Sequence, residues 1–206
     1  MTLQNRVLPD GSIVSNPERG ALMGNRGILH DANRQLGTAR WRHKAWVCCL
    51  LSFKGRRRAL MSPNKYTELF FLDEAVSLAA GHRPCAECRR ADHLAFVDAW
   101  ETSTGTRPKA AQMDAALHPA RVTRTREQVT ITADAASLPN GTFVQHDGTP
   151  HMLWRDMALP FSPAGYGPAC PRPDGGITVL TPQPTVAVLS AGYRPKVHET
   201  ASPHIS

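Results

Sequence analysis

Acidic residues are scarce at the start of this chain. Residues 1–60 hold 3 Asp and Glu against 11 Lys and Arg, a local charge of +8, whereas residues 61–130 balance at 9 against 9 and residues 131–206 carry 5 against 4. The net +7 of the whole chain therefore sits in its first 60 residues, a field that attracts nucleic acid or another polyanion by counterion release. Cysteine is sparse too. Five thiols, an odd number, exclude a fully paired disulfide framework and point to metal ligation or free thiols. No apolar run approaches the roughly 18–20 residues of a membrane span, and Met1-Thr2-Leu3-Gln4-Asn5-Arg6 leads into no apolar segment of the secretory type. No membrane partner is expected, and the cytoplasm is the expected compartment. Also missing are a Gly-x-Ser-x-Gly elbow, a Walker loop, a dinucleotide glycine motif and His-Glu-x-x-His, which removes the commonest hydrolase, NTPase, dehydrogenase and metalloprotease readings.

What is present is 206 residues, 41% hydrophobic and of mean hydropathy −0.33, enough for one medium domain or two small ones. Turn signals at Pro9-Asp10-Gly11 and Gly24-Asn25-Arg26-Gly27 break up residues 1–38. Glycine on both sides of Asn-Arg would let a backbone approach a phosphate, but a plain turn is the preferred reading. Residues 45–53 read as a buried strand, and Lys54-Gly55 as a two-residue hairpin turn into residues 56–63. That register sets Cys49 opposite Leu60 and Cys48 opposite Met61. Strand alternation sends Cys48 and Cys49 to opposite faces, so only one of them serves a single site.

Residues 66–72 form the next strand, and Asp73 caps a short helix over 74–80 that stops at Gly81. Residues 89–102 have the spacing of an amphipathic helix, with Leu94, Val97 and Trp100 on one face, and residues 108–118 form another that ends before Pro119. From about residue 129, strands at 129–132, 142–144, 151–154 and 176–180 alternate with Pro/Gly loops; a short helix covers 185–191, and the last ten residues read as frayed. The expected fold is α+β. A basic β-hairpin and helix zinc-knuckle domain, with a Gly/Asn-rich start, spans residues 1–125, and a smaller β-rich module spans 126–206.

The chemistry concentrates in Phe70-Phe71-Leu72-Asp73-Glu74-Ala75-Val76-Ser77-Leu78-Ala79-Ala80-Gly81-His82-Arg83-Pro84-Cys85-Ala86-Glu87-Cys88-Arg89-Arg90. A Cys-x-x-Cys turn brings two thiolates onto one ion, and a helix starting behind it favours their charge. Cys85 and Cys88 therefore form half of a candidate structural zinc site; a redox pair or two inert thiols are the alternatives.

This stretch also resembles the second half of the N-terminal metal-binding domain of the Ada family of DNA-repair methyltransferases, over residues 70–90 only. The resemblance implies zinc and DNA as a partner, DNA being favoured over RNA on this ground alone. It further implies that the remaining ligands come from a Cys-x-x-x-Cys on a hairpin strand, one of those cysteines accepting a methyl group from a DNA phosphotriester. Met61 and Lys65 stand near those positions here, so the methyl acceptor is absent and phosphotriester repair is not carried over. Cys48, opposite Met61 in the hairpin register, is the expected third ligand, with Cys49 as its alternative. The fourth would be a histidine, His82, His93 or His43, or a water. Tyr66-Thr67-Glu68-Leu69 ahead of Pro84-Cys85-x-x-Cys88 resembles the His-x-Glu and Pro-Cys-x-x-Cys of zinc deaminases, but Tyr66 replaces the histidine ligand.

The leading expectation is a zinc-containing nucleic-acid-binding protein. Arg56, Arg57, Arg58, Arg83, Arg89 and Arg90 hold phosphates, joined by Arg40, Arg42 and Lys44. A metal-dependent enzyme acting on nucleic acid or a nucleotide, deaminase-like or nuclease-like, is the alternative, and a basic protein–protein adaptor is the third. No catalytic residue is assigned.

Overall fold

The computed structural model describes residues 2–55 and 59–205. In chain order the elements are β1 (Gln4–Val7), β2 (Ile13–Ser15), β3 (Leu22–Asn25), β4 (Val47–Leu50), β5 (Leu69–Phe71), α1 (Glu74–Ala79), β6 (Arg83–Pro84), α2 (Arg90–Thr104), α3 (Ala110–Arg121), β7 (Ile131–Asp134), β8 (Phe143–His146), β9 (Thr149–Trp154), β10 (Met157–Ser162), β11 (Gly165–Tyr166), β12 (Cys170–Pro171), β13 (Gly176–Val179), α4 (Gln183–Ser190) and α5 (Ser202–Ile205). The fold is α+β. One mixed sheet runs β2-β1-β5-β3-β4-β6; an antiparallel sheet runs β11-β10-β9-β8-β13-β7, with β12 on β10.

Strand β4 lies between two partners. It pairs antiparallel with β3, Gly24 facing Cys48 and Met23 facing Cys49, and parallel with β6, Cys48 facing Pro84. This corrects the expected hairpin. Lys54 and Gly55 do take positive φ, 52° and 68°, as a type I′ turn requires, but the ladder stops at Leu50 and residues 59–65 form no strand. Cys48 therefore does not face Met61. The ladder that holds Cys48 comes from far away in sequence, where no turn grammar announces it.

Local signals set the approach to β6. Asp73 accepts from Val76 N at 2.9 Å as the cap of α1, and Gly81, at φ 82°, ends the helix with His82 N donating back to Ser77 O at 2.9 Å. A Cβ on Gly81 would also come within 2.5 Å of Arg121 Cδ, so both the left-handed turn and the crossing arginine demand glycine there. The chain then enters β6 and turns through Cys85–Cys88.

The two sheets share one apolar cluster, in which Val7, Leu69 and Phe71 meet Phe143, Met152 and Leu159. Polar bonds tie the start of α1 to later parts of the chain: Tyr166 Oη of β11 donates to Asp73 Oδ2 at 2.7 Å, and Tyr193 Oη, after α4, to Glu74 Oε1 at 2.6 Å. The expected fraying of the C-terminus is corrected here. Ala201 is fully buried, Thr200 Oγ1 accepts from Tyr166 N at 2.9 Å, and His198 N donates to Asp73 Oδ2 at 2.9 Å.

A second cluster joins Phe96, Val97 and Trp100 of α2 to Met113 and Leu117 of α3 and to Val188 and Leu189 of α4. Leu94, expected on this face, is 40% exposed. Helix α3 continues through Pro119 to Arg121 rather than stopping before it. The proline sits in the final turn, and Arg121 anchors that turn by donating to Gly81 O at 2.7 Å and Lys44 O at 2.6 Å. The β9–β10 hairpin goes unannounced in the sequence for a plain reason: its turn is Arg155-Asp156, with Arg155 at φ 51°, and carries no Asn-Gly signature.

Candidate metal centre

Cys49, Cys85 and Cys88 converge, their Sγ atoms all within 4.8 Å of one another. Strand alternation decides which of the adjacent cysteines joins. Along β4 and the residue before it, Trp46 and Cys48 are buried while Val47 and Cys49 are half-buried, so Cys49 points to the face over which the Cys85–Cys88 turn folds. Cys85 N donates to Cys48 O at 2.9 Å, and Leu50 N donates to Cys88 Sγ at 3.4 Å. The turn is thereby fastened to the strand at both cysteines.

The electrostatics suit a cation. The Cys49 S–H donates to Cys85 and the amides of Cys88 and Glu87 add to it, which against the cost of burial brings the Cys85 thiol down to about 5. Cys49, the donor in that bond, is pushed up, with burial adding to the effect, and burial pushes Cys88 up as well. These shifts favour ionisation at Cys85 before Cys49 and Cys88, and a bound metal would displace the protons the other thiols hold. A tetrahedral ion with bonds of about 2.3 Å sets its sulfurs about 3.8 Å apart. The three sulfurs fit that with small adjustments, and an all-thiolate donor set selects a soft or borderline ion.

Cys48 is corrected as the third ligand. It is wholly buried on the other face, its sulfur accepts from Arg89 Nη1 at 3.4 Å, and burial pushes its thiol up to about 12. None of the candidate histidines joins the cluster either. His82 lies 5.2 Å from the Trp46 ring and 4.7 Å from the Phe71 ring, and its Nε2 accepts from Arg26 Nε at 3.3 Å. His93 Nδ1 is 3.3 Å from Pro84 O. His43 is exposed, with its carbonyl accepting from Trp46 Nε1 at 2.9 Å. Among the described residues the donor set is three cysteines.

Two of the expected phosphate ligands are withdrawn into the interior. Arg83 forms a two-pronged bond to Asp114, Nε to Oδ1 at 2.9 Å and Nη2 to Oδ2 at 2.7 Å, which ties β6 to α3. Arg89, 1% exposed at its side chain, sits 2.7 Å from Glu74 and 2.9 Å from Asp92. Both guanidiniums have carboxylate partners, so neither is open to a phosphate. Arg42, Lys44 and Arg90 are exposed and Arg40 half-buried; Arg56, Arg57 and Arg58 lie outside the described residues. Glu68, the deaminase-like carboxylate, is buried and accepts from Met61 N at 2.8 Å, a loop-holding role.

His82 gives the region a pH dependence. Burial, then the charges of Arg26 and Arg121, hold its pKa well below the ordinary 6.5. A depressed histidine contributes stability that is complete above the unfolded value and lost below it, because only the unfolded chain takes up the proton. Below pH 6.5 this group removes about 1.4 kcal/mol per pH unit at full slope. Urea midpoints from pH 7.5 to 5 check this: the slope is expected to fall by one proton's worth in His82→Gln, and an unchanged slope contradicts it.

Comparison with protein-family models, with curated proteins and with solved structures finds no match to this chain. The function is therefore argued from the site itself.

Proposed function

We propose that this chain is a zinc-binding, nucleic-acid-binding protein in which Cys49, Cys85 and Cys88 hold the ion. The observation that carries the reading is the convergence of three sulfurs from β4 and the turn after β6. Zinc would supply there a crosslink between strand and turn and, with three donors among the described residues, a Lewis acid. Nucleic acid follows from the +8 charge of residues 1–60 and from the exposed Arg42, Lys44 and Arg90. Arg56, Arg57 and Arg58 join them on sequence grounds, and DNA is preferred over RNA by the resemblance of residues 70–90 to the Ada-type domain.

Fluorescence anisotropy with labelled duplex and single-stranded oligonucleotides tests this. Binding is expected to weaken linearly in log–log form with salt, and the combined Arg42→Gln and Lys44→Gln variant to flatten the slope by about 1.8, since each phosphate no longer neutralised accounts for about 0.9. Absence of binding to any oligonucleotide at low salt would sink the nucleic-acid half of the proposal and favour the adaptor. A second reading, a metal-dependent enzyme on the same partner, is favoured by one feature: three protein donors among the described residues is the count of catalytic rather than structural zinc sites.

A further inference from the structure

A cavity of about 240 Å³ opens beside Trp46, lined among others by Asp10, Gly11, Arg26, Arg40, Arg121 and Arg126. Two of its arginines belong to the interior. Arg26 is 2% exposed and Arg121 3%, and both guanidiniums lie against the Trp46 ring, 4.0 Å and 3.9 Å from its centre.

Neither meets a carboxylate among the described residues. Arg26 donates to Gly11 O at 3.2 Å, Ala80 O at 3.5 Å and His82 Nε2 at 3.3 Å, all neutral acceptors. Arg121 donates to Gly81 O, Lys44 O and His118 Nδ1, while its buried Nε has no partner. Arg40 and Arg126 at the rim are steadied by the carbonyls of Gly37 and Thr38, at 2.9 Å and 3.0 Å. Asp10 is the one acid in the lining, and its Oδ1 is taken by Ser12 N and Oγ. Four guanidiniums against one carboxylate leave an excess of +3 in a confined, partly dry space.

Buried charges are ordinarily paired, since desolvation opposes each one. Arg83 and Arg89 of this same chain follow that rule, and Arg26 and Arg121 do not. Burial, with neighbouring arginines against it, brings Arg26 down to about 9, yet it stays charged at neutral pH. Indole stacking covers the guanidinium faces and leaves N–H edges for a planar or tetrahedral oxyanion. A monoanion or a phosphate dianion neutralises only part of the excess; a diphosphate carries the further negative charge that matches it.

We propose that this cavity is a binding site for a phosphoryl group, carried by a small phosphate ester or diphosphate, with Arg26 and Arg121 as its buried anchors and Arg40 and Arg126 as its rim. The site does not depend on the metal. Trp46 and Cys49 alternate in burial along one strand, which puts cavity and thiol cluster on opposite faces.

Isothermal titration of the full chain with inorganic phosphate and with pyrophosphate, at constant ionic strength in chloride, tests the proposal. One pyrophosphate per chain is expected, with Arg126→Gln weakening it about tenfold or more through loss of a charged hydrogen bond and Arg26→Gln abolishing it. Arg107→Gln, outside the cavity lining, is expected to leave it unchanged. Arg126 is exposed, so its variant carries the test even where Arg26→Gln fails to fold. Absence of binding by the parent chain, or equal weakening by Arg126→Gln and Arg107→Gln, overturns the proposal.

Discussion

Replacing Arg89 by methionine is expected to lower folding stability by about 3–5 kcal/mol, the cost of leaving a buried partner charge uncompensated. Glu74 is that partner. Its side chain is wholly buried and its Oε1 lies 2.7 Å from Arg89 Nη2, although the N–H direction there is off-line and the contact is mainly ionic. Burial opposes the Arg89 charge, but Glu74, Cys48 and Asp92 outweigh it and hold the guanidinium firmly protonated. Glu74 also accepts from Tyr193 Oη at 2.6 Å and from Lys196 N at 3.0 Å, so the stranded carboxylate would sit where helix α1, helix α2 and the C-terminal segment meet. The contrast is Arg107, whose pairs with Asp98 and Glu101 are half-exposed; solvent screens such pairs, and Arg107→Gln is expected to leave stability nearly unchanged. Urea denaturation of the two variants checks both, and a smaller loss for Arg89→Met than for Arg107→Gln would contradict the assignment.

Chelation is the second large effect. If zinc joins β4 to the Cys85–Cys88 turn, its removal withdraws about 4 kcal/mol when free zinc stands a thousandfold above its Kd. Differential scanning calorimetry with and without a strong chelator is expected to show a lower Tm for the parent and for Cys48→Ser, but no chelator effect in Cys49→Ser or Cys85→Ser. Cys48→Ser carries its own packing cost, because the thiol is wholly buried; the chelator-dependent difference, not the absolute Tm, is the readout.

Local grammar made much of the site legible. Asp73 as a cap, Gly81 as a stop and Cys85-x-x-Cys88 as a knuckle each follow from residues within one turn of one another, and the structure holds the first two as read and draws the two thiols together. The opposite facing of Cys48 and Cys49 followed from strand geometry alone. Which of them meets the knuckle did not, because that depends on β3 and β6 flanking β4, and both pairings are non-local. The same holds for the arginines. Arg83 and Arg89 look like surface charge in a basic stretch until Asp114 and Glu74 arrive from other elements. Arg26 is the converse case: read as part of a plain turn at Gly24–Gly27, it extends into the interior toward Trp46, with only the flanking glycines as a signal. Charge counts locate an excess of arginine; they do not say which guanidiniums are paired.

The most direct test is zinc content by elemental analysis of the full chain and of Cys48→Ser and Cys49→Ser, each reconstituted with zinc under reducing conditions and desalted. The predicted result is about one zinc per chain in the parent and in Cys48→Ser, and none in Cys49→Ser. A parent chain without zinc, or zinc kept by Cys49→Ser and lost from Cys48→Ser, would contradict the three-cysteine centre.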